Sequence, residues 1–251
     1  MLFLAALVLL CAVWFTPAIE KSERLFYVCL LLVASGAIGA FASLDLFFFY
    51  AFHELALIPT FLLIGIWGSG NRTAAAWKVT IYLGLGSFVL LLGLILLYRS
   101  VPAAARTFDL RSLQSLAASG AIASVDQNRI FLLLLIGFGV LISLFPFHTW
   151  APEAYASAPA PAAMLHAGVL KEIWTLRIAP RRGAAVTGRG TSLADAADHS
   201  FVRQHHLCRP GHDRAARLDW MLGYSSVMHM GYIFLGIASF ESSRTERAPR
   251  C

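Results

Sequence analysis

LDLFFFYAFHELALIPTFLLIGIWG, residues Leu44 to Gly68, carries two charged side chains in a run otherwise built of aromatic and aliphatic residues. A bilayer span needs about 20 mostly apolar residues, and this stretch meets that length. It does not alternate polar with apolar positions, as a strand of a membrane barrel would. Backbone groups in lipid must be satisfied within the segment, so the stretch is predicted to be a transmembrane helix. Asp45 stands at its start, where a carboxylate can cap the first turn. Glu54 falls near its middle.

Outward from this stretch the same texture repeats. Seven hydrophobic stretches are marked at roughly 1–19, 25–43, 45–67, 74–98, 129–147, 160–176 and 218–240, separated by short polar breaks such as Glu20–Arg24 and Gly68–Arg72. Residues 99–128 form a longer polar connection with weak helical periodicity over 109–118. The whole chain of 251 residues is 58% hydrophobic and 14% charged, against about 25% charged in soluble domains. Its mean hydropathy is +0.68. The fold class is therefore all-α, a polytopic transmembrane bundle of about six to seven helices. Met1–Thr16 lacks the basic start and small-residue cleavage site of a signal peptide and is read as a span. Orientation stays open, because Lys21, Arg24 and Arg72 on one side balance Arg99, Arg106 and Arg111 on the other.

The net charge of +6 does not point to nucleic acid. Residues 172–217 and 241–251 hold 11 Arg and 6 acidic residues, so five of the six charges sit in two segments whose texture breaks with the rest. The chain divides into transmembrane helices over 1–176, a polar segment at 177–217, a further span at 218–240 and a tail at 241–251. Cys11, Cys29, Cys208 and Cys251 show no ligand spacing. His205, His206, Cys208 and His212 imitate a zinc cluster, but in a segment of suspect origin. No phosphate-binding loop, dinucleotide fingerprint or nucleophile elbow occurs. No cofactor, metal or nucleotide is expected on this chain.

Titratable groups inside the spans are the candidate functional residues. A charged side chain at the bilayer centre costs about 2.5–3.5 kcal/mol on insertion scales, so such groups usually line ion paths. Glu54 is the leading candidate for a proton relay, with a structurally paired carboxylate as the alternative. Lys171, late in the sixth stretch, is either a relay amine or a lysine that reaches to the interface. The same two readings hold for Lys78, a few residues into the fourth stretch. His166 and His229 are intramembrane imidazoles that either shuttle protons or make structural hydrogen bonds. His53 adjoins Glu54 but is expected to point elsewhere around the helix. Two prolines in Leu144–Glu153 must break a helix. Broken helices at membrane depth line cavities or are buried in protein, which makes His148 a lining candidate or, alternatively, an interfacial residue.

Three blocks resemble one family. Leu44–Gly68 is similar to a pattern of an aromatic run, E-L-x-L-I-P and I-G-I-W-G. Leu144–Lys171, LFPFHTWAPEAYASAPAPAAMLHAGVLK, resembles P-F-H-T-W-L-P-x-A-H…A-P and the lysine-bearing helix after it. Leu218–Ser239, LDWMLGYSSVMHMGYIFLGIAS, resembles D-L-K-R-L-I-A-Y-S-S-V-S-H-M-G. With Lys78–Tyr82 the matching blocks make up about a third of the chain and are spread between residues 44 and 239. These patterns belong to the subunit M family of bacterial NADH–quinone oxidoreductase (respiratory complex I), an antiporter-like proton-channel family.

The resemblance implies a multi-pass subunit of the bacterial inner membrane, in a family of about fourteen helices. It implies proton transfer coupled to quinone reduction, no redox centre on this chain, and other membrane subunits of complex I as partners. Glu54 matches the family's key helix glutamate, and Lys171 or its neighbour the lysine of the later helix. The family's lysine before P-L-F-P-F-H falls here on Leu141, and its first proline on Ser143. The family's first two and last several helices have no counterpart. A subunit of a multisubunit cation/proton antiporter or of a membrane-bound hydrogenase is the alternative, since these share the fold. A third reading, a damaged product without transport activity, stays open.

The break in texture at residue 172 is read as a change of reading frame. One encoding of Lys171–Pro180, KEIWTLRIAP, becomes KKFGLYGLLR when a single G is removed. That resembles the family's L-K-x-G-x-Y-G-L-L-R. Gly211–Arg217, GHDRAAR, can likewise become ATTAQRD.

Overall fold

A computed structural model describes residues 2–119, 124–171 and 218–246. The polar segment at 177–217, with its histidine and cysteine cluster, lies outside the described residues, as do residues 172–176 and 247–251.

The described residues form nine α-helices and no strand. They are α1 (Leu2–Trp14), α2 (Glu23–Ala42), α3 (Leu46–Trp67), α4 (Arg72–Ser100), α5 (Leu110–Ala118), α6 (Ser124–Leu141), α7 (Trp150–Ser157), α8 (Ala160–Leu165) and α9 (Leu218–Glu246). Among the described residues, α2, α3 and α4 are each long and apolar enough to cross a bilayer, and Leu2–Trp14, Gln127–Leu141 and Ala160–Leu170 are shorter apolar helices. The first helix stops at Trp14, short of the expected 19, and the last runs to Glu246, past the expected 240. The weak periodicity of 109–118 corresponds to α5.

α3 begins where Asp45 accepts hydrogen bonds from the backbone N–H groups of Phe47 and Phe48 at 2.8 and 3.1 Å. It spans 22 residues, or about 33 Å at 1.5 Å per residue. Pro59 sits inside it and supplies no N–H, which a membrane helix tolerates when its neighbours compensate. One face of α3 is buried at Leu46, Phe49, His53, Ala56, Pro59, Thr60 and Leu63, the three-and-four spacing of an amphipathic helix. Apolar residues also face outward, among them Phe48, Ile58, Leu85 and Phe88. In water such a surface would be costly, and in lipid it is the matching one.

α3 packs between α2 and α4, α4 packs on α6, α7 on α9, and α1 on α8. α6 approaches α4 so closely that a Cβ on Gly137 would stand 2.8 Å from the backbone nitrogen of Leu90. Small residues permit such contacts between membrane helices.

Hydrogen bonds fix the two ends of the bundle. Trp67 Nε1 donates to the carbonyl of Lys21 at 2.6 Å, and Ser69 N–H to the carbonyl of Ser157 at 2.8 Å. At the opposite end Leu46 N–H donates to Phe108 and Leu110 N–H to Leu44, each at 3.0 Å. Tyr98 stacks on Phe108 with ring centroids 4.5 Å apart.

Candidate functional site

Two helix interruptions create the site. α6 ends at Leu141, and the chain resumes helix only through the short turn Phe147–Thr149 into α7. The carbonyls that α6 leaves open are partly taken up locally. Leu144 N–H donates to Gly139 at 2.7 Å, and Trp150 Nε1 to Val140 at 3.0 Å. Ser143, fully buried, holds the turn with φ at 59°. That left-handed conformation is uncommon and strained for a residue with a Cβ. A proline, the residue the resemblance places here, is locked near −65° and could not adopt it.

The second interruption is a π turn. α8 ends at Leu165, and His166–Leu170 wind more loosely until Lys171 N–H donates back to the carbonyl of His166. In an α-helix, residues five apart point about 140° from one another. A π turn aligns them, and such turns are frequent at functional sites. His166 and Lys171 accordingly line one small cavity together. A sequence reading based on uniform helical periodicity separates them.

Lys171 is 1% exposed, so its amine does not reach an interface. Nζ donates to Ser143 Oγ at 3.0 Å and to Ser226 Oγ of α9 at 3.3 Å. It also lies 4.9 Å from the ring centre of Tyr155 and 5.7 Å from that of Trp150. Hydroxyl oxygens and aromatic faces both stabilise an ammonium. His166 is buried beside them, with Nδ1 3.2 Å from Tyr155 Oη and its ring edge-on to Trp150 at 5.7 Å.

Glu54 sits about 12 Å along α3 from Leu46 and about 20 Å from Trp67, near mid-span. Ser87 of α4 donates a hydrogen bond to Glu54 Oε1, and Ser87 Oγ lies 3.0 Å from Tyr50 Oη. Each hydroxyl carries one proton, so a Ser87 that donates to the carboxylate can accept from Tyr50. Tyr50 and Glu54 are four residues apart and share a helix face, a pairing visible in the sequence. Ser87 carries only one cue in the sequence, a hydroxyl inside an otherwise apolar run.

His53 departs from the sequence expectation. Its ring turns inward, 7% exposed, and Nδ1 stands 3.4 Å from Glu54 Oε1. The spacing Leu46, Phe49, His53, Ala56, Thr60 placed it on the buried stripe all along. A cavity of about 10 Å³ is lined by His53, Thr60, Leu141, His166 and Lys171 together with apolar neighbours, which is room for about one water.

The remaining candidates lie apart from this cluster. Lys78 of α4 pairs with Glu153 of α7 at 2.6 Å, with both side chains partly exposed. His148 occupies the turn between α6 and α7, its ring 5.9 Å from that of Phe145. His229 is exposed on α9, with Nδ1 2.7 Å from the carbonyl of Ser225 one turn back. The described residues contain no group of three or more His, Cys, Asp or Glu side chains placed to hold a metal ion.

Residues 43–183 match the family described as NADH:quinone oxidoreductase/Mrp antiporter, TM. The chain is similar to the NADH-quinone oxidoreductase subunit M of Rickettsia felis, 33% identical over 239 residues that cover 93% of this chain and 46% of that protein. It is also similar to an NAD(P)H-quinone oxidoreductase chain 4 of Picosynechococcus, 33% identical over 257 residues, covering 96% of this chain and 43% of that one. The chain thus spans about half the length of the curated relatives it matches. Among solved structures, its fold is similar to a chain of an archaeal membrane-bound sulfane sulfur reductase, with a TM-score of 0.81, 23% identity, and coverage of 94% of this chain and 48% of that chain. It is also similar to a chain of respiratory complex I from Thermus thermophilus, with a TM-score of 0.78, 23% identity, and coverage of 95% and 47%.

Proposed function

The chain belongs to the NADH:quinone oxidoreductase/Mrp antiporter transmembrane family, and from that membership we propose that it serves as a proton-translocating membrane subunit of an NADH–quinone oxidoreductase, in the position of subunit M. The observation that carries this reading is the pair of mid-membrane clusters. Glu54 is held by Ser87 with Tyr50 behind it, and Lys171 is buried among hydroxyls and aromatic rings. Burying charge is expensive, and such groups usually serve ion paths.

In this reading Glu54 and Lys171 are the principal proton-loading groups, with His166 beside the lysine. Tyr50 and Ser87 supply hydroxyl protons that keep the carboxylate placed whether or not it is ionised. Lys171 keeps its hydroxyl neighbours in either state, because a hydroxyl accepts from an ammonium and donates to an amine. His148, Lys78 and His229 are assigned to the access routes at either end of the path. Partners are the other membrane subunits of the complex and the lipid of the bacterial inner membrane. The chemistry of NADH oxidation and quinone reduction belongs to other subunits of the complex.

A subunit of a cation/proton antiporter is the second reading. Its support is the fold likeness to a chain of the Mrp complex from Dietzia, with a TM-score of 0.73, 22% identity, and coverage of 94% of this chain and 43% of that chain. Membrane vesicles carrying the assembled chain discriminate the two. Proton transport that starts with NADH and stops when quinone reduction is blocked supports the first. Transport that instead requires an opposing sodium gradient and ignores NADH supports the second.

A further inference from the structure

His53 has no part in the relay described so far, yet it stands between that relay's two halves. Glu54 itself does not line the cavity that holds His166 and Lys171; His53, its chain neighbour, does. His53 Nδ1 stands within ion-pair distance of Glu54, at 3.4 Å. The buried face of α3 turns the ring inward, away from lipid.

We propose that His53 is a further proton-relay residue, which passes protons between the Glu54 carboxylate and a water held in the cavity shared with His166 and Lys171. The proposal rests on the proton-translocation reading above. A bridging water needs room and two to four polar partners. The cavity gives room for about one. Its polar walls are His53 and Thr60 from α3, and His166 and Lys171 from the π turn; Leu57, Leu83, Leu141 and Leu170 close the rest. The Thr60 hydroxyl donates to the carbonyl of Ala56 at 2.7 Å, which leaves its oxygen free to accept from a water.

An imidazole suits the gap because it binds a proton on one nitrogen and releases one from the other. In the direction toward Glu54, the cavity water gives a proton to Nε2 and is reprotonated from the Lys171 side. His53 becomes imidazolium, then Nδ1–H passes its proton to the carboxylate. Glu54 ends as the neutral acid and His53 as the neutral imidazole of the opposite tautomer. No other bond is made or broken. The reverse transfer resets the tautomer. The groups facing His53 are Glu54 on its own helix, and His166 and Lys171 across the cavity. Leu141, at the end of α6, contributes no charge.

Two substitutions separate relay from mere placement. His53→Gln keeps a hydrogen-bond donor for Glu54 but cannot carry a proton through; His53→Phe keeps only the bulk. In vesicles with the assembled complex, both are expected to lower NADH-driven proton transport by about a hundredfold or more, the low end of what loss of a general acid–base group produces. Transport by His53→Gln equal to that of the unsubstituted chain, with His53→Phe impaired, would assign His53 to placing Glu54 and overturn the relay. Glu54→Gln run alongside separates the two claims. If it transports normally, the underlying reading fails. If it fails and His53→Gln does not, only this inference falls. A second measurement is independent of transport. In the full chain labelled with 15N-histidine in lipid bilayers, solid-state NMR magnetisation starting on water should reach the rings of both His53 and His166. Absence of transfer to His53 overturns the proposal.

Discussion

Ser87 of α4 donates its hydroxyl proton to the carboxylate of Glu54 on α3, and it does so from a position only 2% exposed. The contact ties two long membrane helices together at mid-depth through a group that can take up a proton. A hydrogen bond to a charged partner contributes about 1.5–3 kcal/mol, enough to set the carboxylate's position.

Replacing Ser87 tests that tie. Ser87→Ala removes the donor and is expected to lower proton transport several-fold while the complex still assembles, since alanine leaves no clash. Ser87→Thr keeps the hydroxyl and should retain most of the transport. Quinone reduction driven by NADH, followed together with external pH in vesicles, reads both effects. Equal transport by the alanine variant would remove Ser87 from the site.

Lys171 and Ser143 form the second tie, between the π turn and the broken helix, at 3.0 Å. Ser143→Ala withdraws one acceptor from a buried amine and should destabilise the chain by about 1–3 kcal/mol. Ser143→Pro should do worse, because its ring cannot hold the φ of 59° found there. Thermal unfolding of the purified protein in lipid nanodiscs gives the order: unsubstituted, alanine, proline. A proline variant as stable as the unsubstituted chain would contradict the left-handed turn.

Outside the membrane, Asp109 caps α5. The backbone N–H of Ser112 donates to Oδ2 at 2.8 Å and its hydroxyl at 2.7 Å. These bonds hold the Asp109 carboxyl below the usual aspartate range. A lowered value in the folded state means that the cap's contribution is full above the unfolded value near 3.9 and fades as pH falls through the folded one. Protection of the Ser112 amide against hydrogen exchange should therefore hold from neutral pH to about pH 5 and drop in stronger acid. Asp109→Asn keeps a capping oxygen without the titration. Its protection should show no such acid step, and a step that persists would place the titration elsewhere.

The two Arg-rich segments lead to a genetic prediction. The gene should differ from those of related chains by a single-base shift near codon 172 and a compensating one near codon 211, with another beyond codon 240. Resequencing decides it. A gene that stays in frame with its relatives throughout would make 172–217 a genuine polar segment of this protein.

Much of this was legible in the sequence because lipid imposes simple rules. α2, α3 and α4 fall within a few residues of the hydrophobic stretches, and the Asp45 cap was readable from its type and place. Glu54 stood out as a charge in an apolar run. The inward turn of His53 follows from the three-and-four spacing Leu46, Phe49, His53, Ala56, Thr60, which its adjacency to Glu54 in the sequence obscures. The pairing of His166 with Lys171 was hidden for a different reason. It depends on a π turn, and nothing in Met164–Lys171 announces a change from 3.6 residues per turn. The Lys78–Glu153 pair joins α4 to the short helix after the break. Spacing within one helix cannot show a contact between two. A partly exposed pair of this kind contributes about 0–1 kcal/mol, so its loss would alter placement more than stability.

Glu54 is the group proposed to load protons within the membrane. The most direct measurement is the number of protons transported per NADH oxidised, in vesicles carrying the complex with Glu54→Gln. Glutamine keeps the size and the hydrogen bond from Ser87 but cannot take up a proton. The complex is expected to assemble and to continue quinone reduction, with a proton yield clearly below that of the unsubstituted complex. An unchanged yield would contradict that role.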